Sequence, residues 1–228
     1  MKRIFYDGDL SDSLELQGDY FHYLKNVVRA KPGDILGVLT LEEFAEVQID
    51  QIEKRSASLR VLNKRPALRH DYKLKVYQCL LKREYMDFAV EKYAELGATE
   101  IVPVISERSL NDLKEKTMKR YLEISLKAVL QSENEQLPVI HEAIDISKIT
   151  ADAENNILFY ERQEGEGKII ASKNMSIIIG PEGGFTDEEY KILLDKGFQP
   201  VKPISQILKA ETASVVFTGY IRILQEQM

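Results

Sequence analysis

The hydrophobic period of this chain changes once, near residues 66–72, and no single repeating architecture accommodates both patterns. From Phe44 to Ile52 and from Ala57 to Leu62, apolar and polar residues alternate, the period of half-buried antiparallel strands. Lys31-Pro32-Gly33-Asp34 is a turn tetrad leading into the apolar run Ile35–Leu39, and a short helix over Gly18–Val28 precedes it. The spacing predicts a small β-barrel or sandwich over residues 1–70. From Lys73 onward, short apolar strands alternate with helical stripes. Strands are predicted over Lys73–Leu80, Glu100–Ile105, Ile157–Tyr160 and Ser176–Ile179. Met86, Ala89, Val90, Tyr93 and Ala94 share one face of a helix over Glu84–Leu96, with Gly97 where that helix ends. Met118, Tyr121, Leu122, Leu126, Val129 and Leu130 mark a second helix over Glu115–Gln131. Further helices follow over Thr186 to about Lys196 and over Glu211–Glu226. This order implies an α/β domain over residues 71–228, with a mostly parallel sheet covered on both faces.

Composition narrows the function. Hydrophobic residues are 44% of the 228 and charged residues 30%, enough apolar surface for a packed core. Lysine plus arginine number 31 against 37 acids, a net charge of -6, which argues against an indiscriminate nucleic-acid coat but not against a local basic patch. Residues 1–70 carry 11 cations and 11 anions, so the whole acidic excess lies in residues 71–228. Lys54, Arg55, Arg60, Lys64, Arg65, Arg69, Lys73 and Lys75 are opposed only by Asp71 across the boundary. Alone, such a run is a solvated strand face and linker. Together with Lys25, Arg29 and Lys31 it could form a phosphate-binding surface. The single cysteine, Cys79, excludes an internal disulfide framework and a four-cysteine zinc site, and reads as a small core residue. His141-Glu142 has no second histidine at zincin spacing, so no metal is expected. The start MKRIFYDGDL lacks a signal-length apolar run, and no stretch approaches a membrane span. A soluble cytoplasmic protein is expected.

The densest chemical signal is Ser176-Ile-Ile-Ile-Gly180-Pro181-Glu182-Gly183-Gly184-Phe185-Thr186-Asp187-Glu188-Glu189. Three glycines follow a buried-type strand, and Thr186 with Glu189 forms a capping box opening the next helix. Such a strand-to-helix turn is either a tight turn and nothing more, or the ligand crevice of an open α/β sheet. Glu182, Asp187, Glu188 and Glu189 would repel a triphosphate, so a neutral or cationic ligand suits the loop better. Gly165-Glu166-Gly167-Lys168 is followed by Ile169 and is no P-loop, and G-x-G-x-x-G is absent. A second junction, Ile207-Leu208-Lys209-Ala210-Glu211-Thr212-Ala213-Ser214, places Glu211 or Thr212 at the start of the last helix. Physical reading of these residues alone names no reaction.

GPEGG followed by a Thr-Asp-Glu-Glu helix start, and ILKAETA near the carboxyl end, resemble the RsmE family. These are SPOUT-class methyltransferases acting on N3 of a uridine in small-subunit ribosomal RNA. Phe21-His22-Tyr23-Leu24 and Val28-Arg29-Ala30-Lys31-Pro32-Gly33-Asp34 resemble the family's amino-terminal PUA-like RNA-binding domain. Lys82, Glu91–Ala98, Ser106-Glu107-Arg108-Ser109 and Gln131-Ser132 also fall where family patterns place them. The resemblance implies a trefoil-knotted carboxyl-terminal domain, a homodimer, and S-adenosylmethionine as cofactor, whose sulfonium cation suits an acid-rich loop. It implies a pocket of Tyr160, Gly180, Glu182, Gly183, Ile207, Leu208 and Thr212. Glu211 and Lys209 become the candidates for deprotonating the base and stabilising its charge. Lys25, Arg29, Arg69, Lys82 and Arg108 become the candidate phosphate contacts, and the partner is small-subunit ribosomal RNA or the assembled subunit.

Three arginine positions of the family pattern are filled differently. Ile204-Ser205-Gln206 replaces a glycine-proline-arginine, Lys209 replaces an arginine and loses its bidentate fork, and Glu133-Asn134 follows Gln131-Ser132. Two alternatives therefore stand beside the leading reading: a SPOUT methyltransferase for another RNA position, and a catalytically idle RNA-binding relative.

Overall fold

The structure is a computed structural model that describes residues 1–109, 115–163 and 167–228. Gly165 and Glu166 of the Gly165–Lys168 segment lie outside the described residues. The chain forms two units, one of Met1–Arg69 with Val129–Gln136, the other of His70–Ala128 with Leu137–Met228.

The first unit holds five strands: β1 (Arg3–Phe5), β2 (Ser13–Gln17), β3 (Ile35–Leu39), β4 (Glu43–Ile52) and β5 (Ser56–Pro66). They pair in the order β1-β3-β4-β5-β2, antiparallel except for the parallel β1–β3 edge. The alternation in β4 and β5 does what a period of two requires, turning Ala45, Val47, Ile49, Ala57 and Leu59 into the core. Register shifts at Glu46/Val47 and Ile49/Gln51 bend these two long strands. The helix expected over Gly18–Val28 is a short α1 (Gly18–His22) continued by a π-turn, Tyr23–Val28. The Arg29 N–H closes it on the Leu24 carbonyl, with Arg29 in the left-handed region at φ 55°. Phe21, Leu24 and Val28 seal the sheet's apolar face.

Glu135 is the buried charge of this unit, its side chain 4% exposed. Arg65 grips it in a fork of two 2.7 Å hydrogen bonds, and the Leu68 N–H donates a third at 2.8 Å. Burial alone would raise the Glu135 pKa, but the Arg65 and Leu68 hydrogen bonds outweigh it and hold the carboxyl below its ordinary value. Beside it, Glu133 and Asn134 offer their carbonyls to Arg3, at 2.6 and 3.4 Å.

The second unit contains β6 (Lys73–Cys79), α2 (Arg83–Glu95), β7 (Glu100–Ile105), α3 (Glu115–Gln131), β8 (Val139–Ile140), β9 (Ile144–Asp145), β10 (Asn155–Phe159), β11 (Asn174–Ile179), α4 (Asp187–Asp195), β12 (Gln199–Val201) and α5 (Ala210–Glu226), the last turn of α3 grouping with the first unit. The sheet order is β12-β10-β11-β6-β7-β8, with β9 also on β7, and every pairing is parallel. The alternation of β6 splits between two cores. Leu74 and Val76 face a cluster with Met86, Tyr93, Phe217 and Ile221 of α2 and α5, while Tyr77 and Cys79 face one with Leu193 of α4. Helices therefore cover both faces, as the strand–helix alternation requires. β1, β2, β8, β9 and β12 have two to five residues each, too few to carry a readable period. Leu122, expected on the apolar face of α3, is exposed, and Ser125 takes a buried position by donating to the Leu122 carbonyl at 3.0 Å. Among the described residues no helix is long and apolar enough to cross a membrane.

The Arg65–Glu135 pair generates a pH-dependent stability. A lowered folded pKa means a contribution present above the unfolded carboxyl range near 4.5 and lost as pH falls through the folded value. Glu135→Gln should cost about 2–3 kcal/mol at pH 7. Urea unfolding at pH 7 and again at acid pH checks this, with the gap between the two proteins closing in acid.

Candidate functional site

A cleft of about 360 Å³ opens where the carboxyl ends of four neighbouring strands, β12, β10, β11 and β6, meet one edge of the sheet. Parallel pairing puts these ends side by side, the position where open α/β sheets hold ligands. Its apolar wall is Phe159, at the end of β10, stacked on Phe217 of α5 with ring centroids 4.0 Å apart. Ile204 and Leu208 complete that wall. Glu161, Glu182, Glu211, Lys82, Lys202 and Lys209 supply the charged lining.

The glycine-rich turn is anchored from below and beside. A Cβ on Gly180 would come within 3.0 Å of the Phe185 ring, and one on Gly183 within 3.1 Å of the Arg108 stem. Gly184 sits at φ +68°, where only glycine is unstrained, facing Glu161 Oε1. Arg108 donates to the Gly183 carbonyl at 3.0 Å, and the Lys82 N–H donates to Glu182 Oε1 at 3.1 Å. The capping box forms as expected: Thr186 N–H donates to Glu189 Oε2 at 2.9 Å, and Glu189 N–H to Thr186 Oγ1 at 3.2 Å. Glu189 Oε1 also accepts from the Glu107 N–H at 2.7 Å, so this carboxylate is buried and internally satisfied. Of the four acids expected to face a ligand, Glu182 alone is among the residues lining the cleft, while Asp187 and Glu188 point to solvent.

Tyr160 lines the cleft, stacked at 4.3 Å on Tyr190. Burial, helped by neighbouring Glu161, raises its pKa. Lys209 is the N-cap of α5, where no side chain caps the first turn, so backbone N–H groups at that end are left for a ligand or water. Ile207 lies at the mouth, 74% exposed.

The structure thus gathers Tyr160, Gly180, Glu182, Ile207, Leu208, Lys209, Glu211 and Lys82 around one cleft. Gly183 and Thr212 are not among its lining residues: Gly183 packs on Arg108, and Thr212 faces solvent one position beyond Glu211. Arg108 holds loop carbonyls. In the first unit Lys25 is exposed and lies 5.4 Å over the Phe21 ring. Arg29 is exposed at the end of the π-turn, and exposed Arg69 donates to the Leu41 carbonyl. Sequence reasoning missed Phe159, Phe217, Glu161, Lys202 and Ile204. Phe217 was detectable only as a member of the buried stripe of α5, which does not distinguish a cleft wall from core.

An α/β unit with a glycine-rich cleft at the carboxyl edge of its sheet is the arrangement these observations define, and the family model described as RNA methyltransferase domain matches residues 69–222. The Ribosomal RNA small subunit methyltransferase E of Rickettsia conorii is 31% identical, covering 97% of this chain and 95% of its own, and that of Aquifex aeolicus is 27% identical over 93% and 95%. A crystal structure of a ribosomal RNA small subunit methyltransferase E from Neisseria gonorrhoeae, bound to S-adenosyl methionine, is similar with a TM-score of 0.87, 26% identity and 98% coverage of both chains. The chain belongs to the ribosomal RNA small subunit methyltransferase E family, as the GPEGG and ILKAETA segments suggested.

Gly184→Ala should destabilise the protein by about 1–2 kcal/mol through its left-handed backbone alone. Gly183→Ala should cost less, because Gly183 is not in the left-handed region and Arg108 Cβ, at 3.1 Å, needs to yield only a few tenths of an ångström. Denaturant midpoints of the two variants rank them.

Proposed function

We propose that this chain transfers a methyl group from S-adenosylmethionine to N3 of a uridine in small-subunit ribosomal RNA. The observation that carries the reading is the cleft itself, with its Phe159–Phe217 wall beside a glycine turn and an uncapped helix start. These residues fit the cofactor's parts. The apolar wall suits an adenine ring, the absence of a Cβ at Gly180 and Gly184 lets Phe185 and Glu161 pack close against the turn, and Glu161 and Glu182 suit a cationic ligand. The free N–H groups at Lys209–Glu211 suit a carboxylate. Family membership, and the bound S-adenosyl methionine of the gonococcal relative, support the same assignment.

When bound, the cofactor supplies an electrophilic methyl group on sulfur. The chain's own contribution is alignment, which can lower a barrier by about 7–11 kcal/mol at best. Glu211 is assigned to take the uridine N3 proton and Lys209 to stabilise the resulting negative charge. Residues 1–70 are assigned as a PUA-like RNA-binding domain through Lys25, Arg29 and Arg69, with Lys82 and Arg108 added from residues 71–228. Arg108 would do so while keeping its loop hydrogen bond. The path of the second unit, in which β11 inserts between β10 and β6 and α5 returns to α2, supports a trefoil-knotted carboxyl end. An exposed stripe on α5, Val216, Tyr220 and Ile223, supports a homodimer.

Calorimetric titration with S-adenosylmethionine, with and without small-subunit ribosomal RNA, tests the core of this reading: saturation near one site per chain is expected, and no heat in either condition overturns it. Glu211→Gln should lower the methylation rate by about 10²–10⁴ while cofactor affinity stays within a few-fold. Replacing Arg29 or Arg69 by alanine should reduce the salt slope of RNA binding by about 1 each, read from affinities at several salt concentrations.

A further inference from the structure

Gln78 is a completely buried amide, the penultimate residue of β6, and no motif marks it. Its Nε2 donates to the Cys79 carbonyl at 2.8 Å, and its Oε1 accepts from the Tyr93 hydroxyl. Ser214 Oγ lies 2.9 Å from the same Oε1 and 2.8 Å from the Ala210 carbonyl, so its single proton is shared between two acceptors. Tyr93 and Ser214 are as fully buried as Gln78. Strand register sets Gln78 opposite Ile179, the last residue of β11 before Gly180. One amide therefore adjoins both loops of the cleft: the glycine turn through its strand neighbour, and Lys209–Glu211 through the first turns of α5.

A buried polar cluster is an expensive way to fill a core, because an apolar side chain of similar volume packs without any desolvation cost. What the amide adds is direction. Apolar packing lets α5 rotate or slide by a fraction of a residue, whereas hydrogen bonds to Ser214 and Tyr93 allow one setting of α5 against β6 and α2. Because Ala210 and Glu211 are the first residues of α5 and line the cleft, that setting also fixes the position of the uncapped helix start beside it.

We propose that Gln78, through Ser214, is a positioning residue for cofactor binding: it fixes the start of α5 so that the cleft is preorganised. The proposal rests on the reading of the cleft as a cofactor site. Its test compares Gln78→Leu, Ser214→Ala and the double variant with the unaltered full-length chain. Expected are a thermal midpoint within a few degrees, S-adenosylmethionine affinity about tenfold weaker, and RNA affinity unchanged. The double variant should bind no more weakly than the weaker single one, since both break one linkage. Amide hydrogen exchange at residues 213–217, the first hydrogen-bonded amides of α5, should be faster in the variants without ligand, with α4 unaffected. Folded variants with unchanged cofactor affinity overturn the proposal, as does a parallel loss of cofactor and RNA affinity with a lowered midpoint, which would make the cluster structural only. Should Gln78→Leu fail to fold, Ser214→Ala decides alone. If the unaltered chain binds no S-adenosylmethionine, the cofactor reading fails and this proposal with it. Unchanged exchange at 213–217 overturns the positioning step by itself, whatever the cofactor result.

Discussion

Parallel pairing throughout the second unit is the constraint on which its site depends. Strands that run the same way present all their carboxyl ends at one edge, and the order β12-β10-β11-β6 makes four of those ends adjacent. Glu161, Gly180, Lys82 and Lys202, scattered over more than a hundred residues of sequence, become neighbours for that reason. An antiparallel arrangement of the same strands would send half of these loops to the opposite edge. The insertion of β11 between β10 and β6 puts the glycine turn in the middle of the group rather than at its rim.

Within that frame, local hydrogen bonds decide shape. The glycine turn is held by backbone and side-chain donors from the loops after β6 and β7: Lys82 N–H, Glu107 N–H and Arg108. These tethers account for Glu182 and Glu189, whereas Asp187 and Glu188 are exposed in the first turn of α4, where acidic side chains complement the helix start. Glu189 closes a capping box and accepts from Glu107, and Glu182 accepts from Lys82 while lining the cleft. The first unit solves a similar problem around Glu135, where a carboxylate buried away from water is satisfied by an arginine fork and a backbone N–H. In both places a charge is tolerated inside because its lone pairs are occupied.

Much of the architecture was legible from periodicity. The buried face of α2 is Met86, Ala89, Val90, Tyr93 and Ala94, the residues that its 3.6-residue spacing selects. Glu115–Gln131 and Glu100–Ile105 begin and end where their patterns do. Short strands such as β8, β9 and β12 escaped because pairing by distant neighbours, rather than their own residues, makes them strands. The π-turn at Tyr23–Val28 escaped for a related reason: the apolar positions of an α-helix and a π-turn overlap, and the Arg29-to-Leu24 closure is visible only in three dimensions.

The candidate site divides along the same line. Sequence by itself determined the glycine turn, the capping box, the ILKAETA junction and the family, because each is a contiguous pattern whose chemistry is local. Tertiary structure alone decided that these two segments share a cleft, that Phe159 meets Phe217 across it, that Gly183 and Thr212 stay off its lining, and that Gln78 lies buried beneath it. Those facts depend on which strands lie side by side and on how α5 is set against them. Residues far apart in the chain settle both, through contacts that carry no signature in any one stretch of sequence.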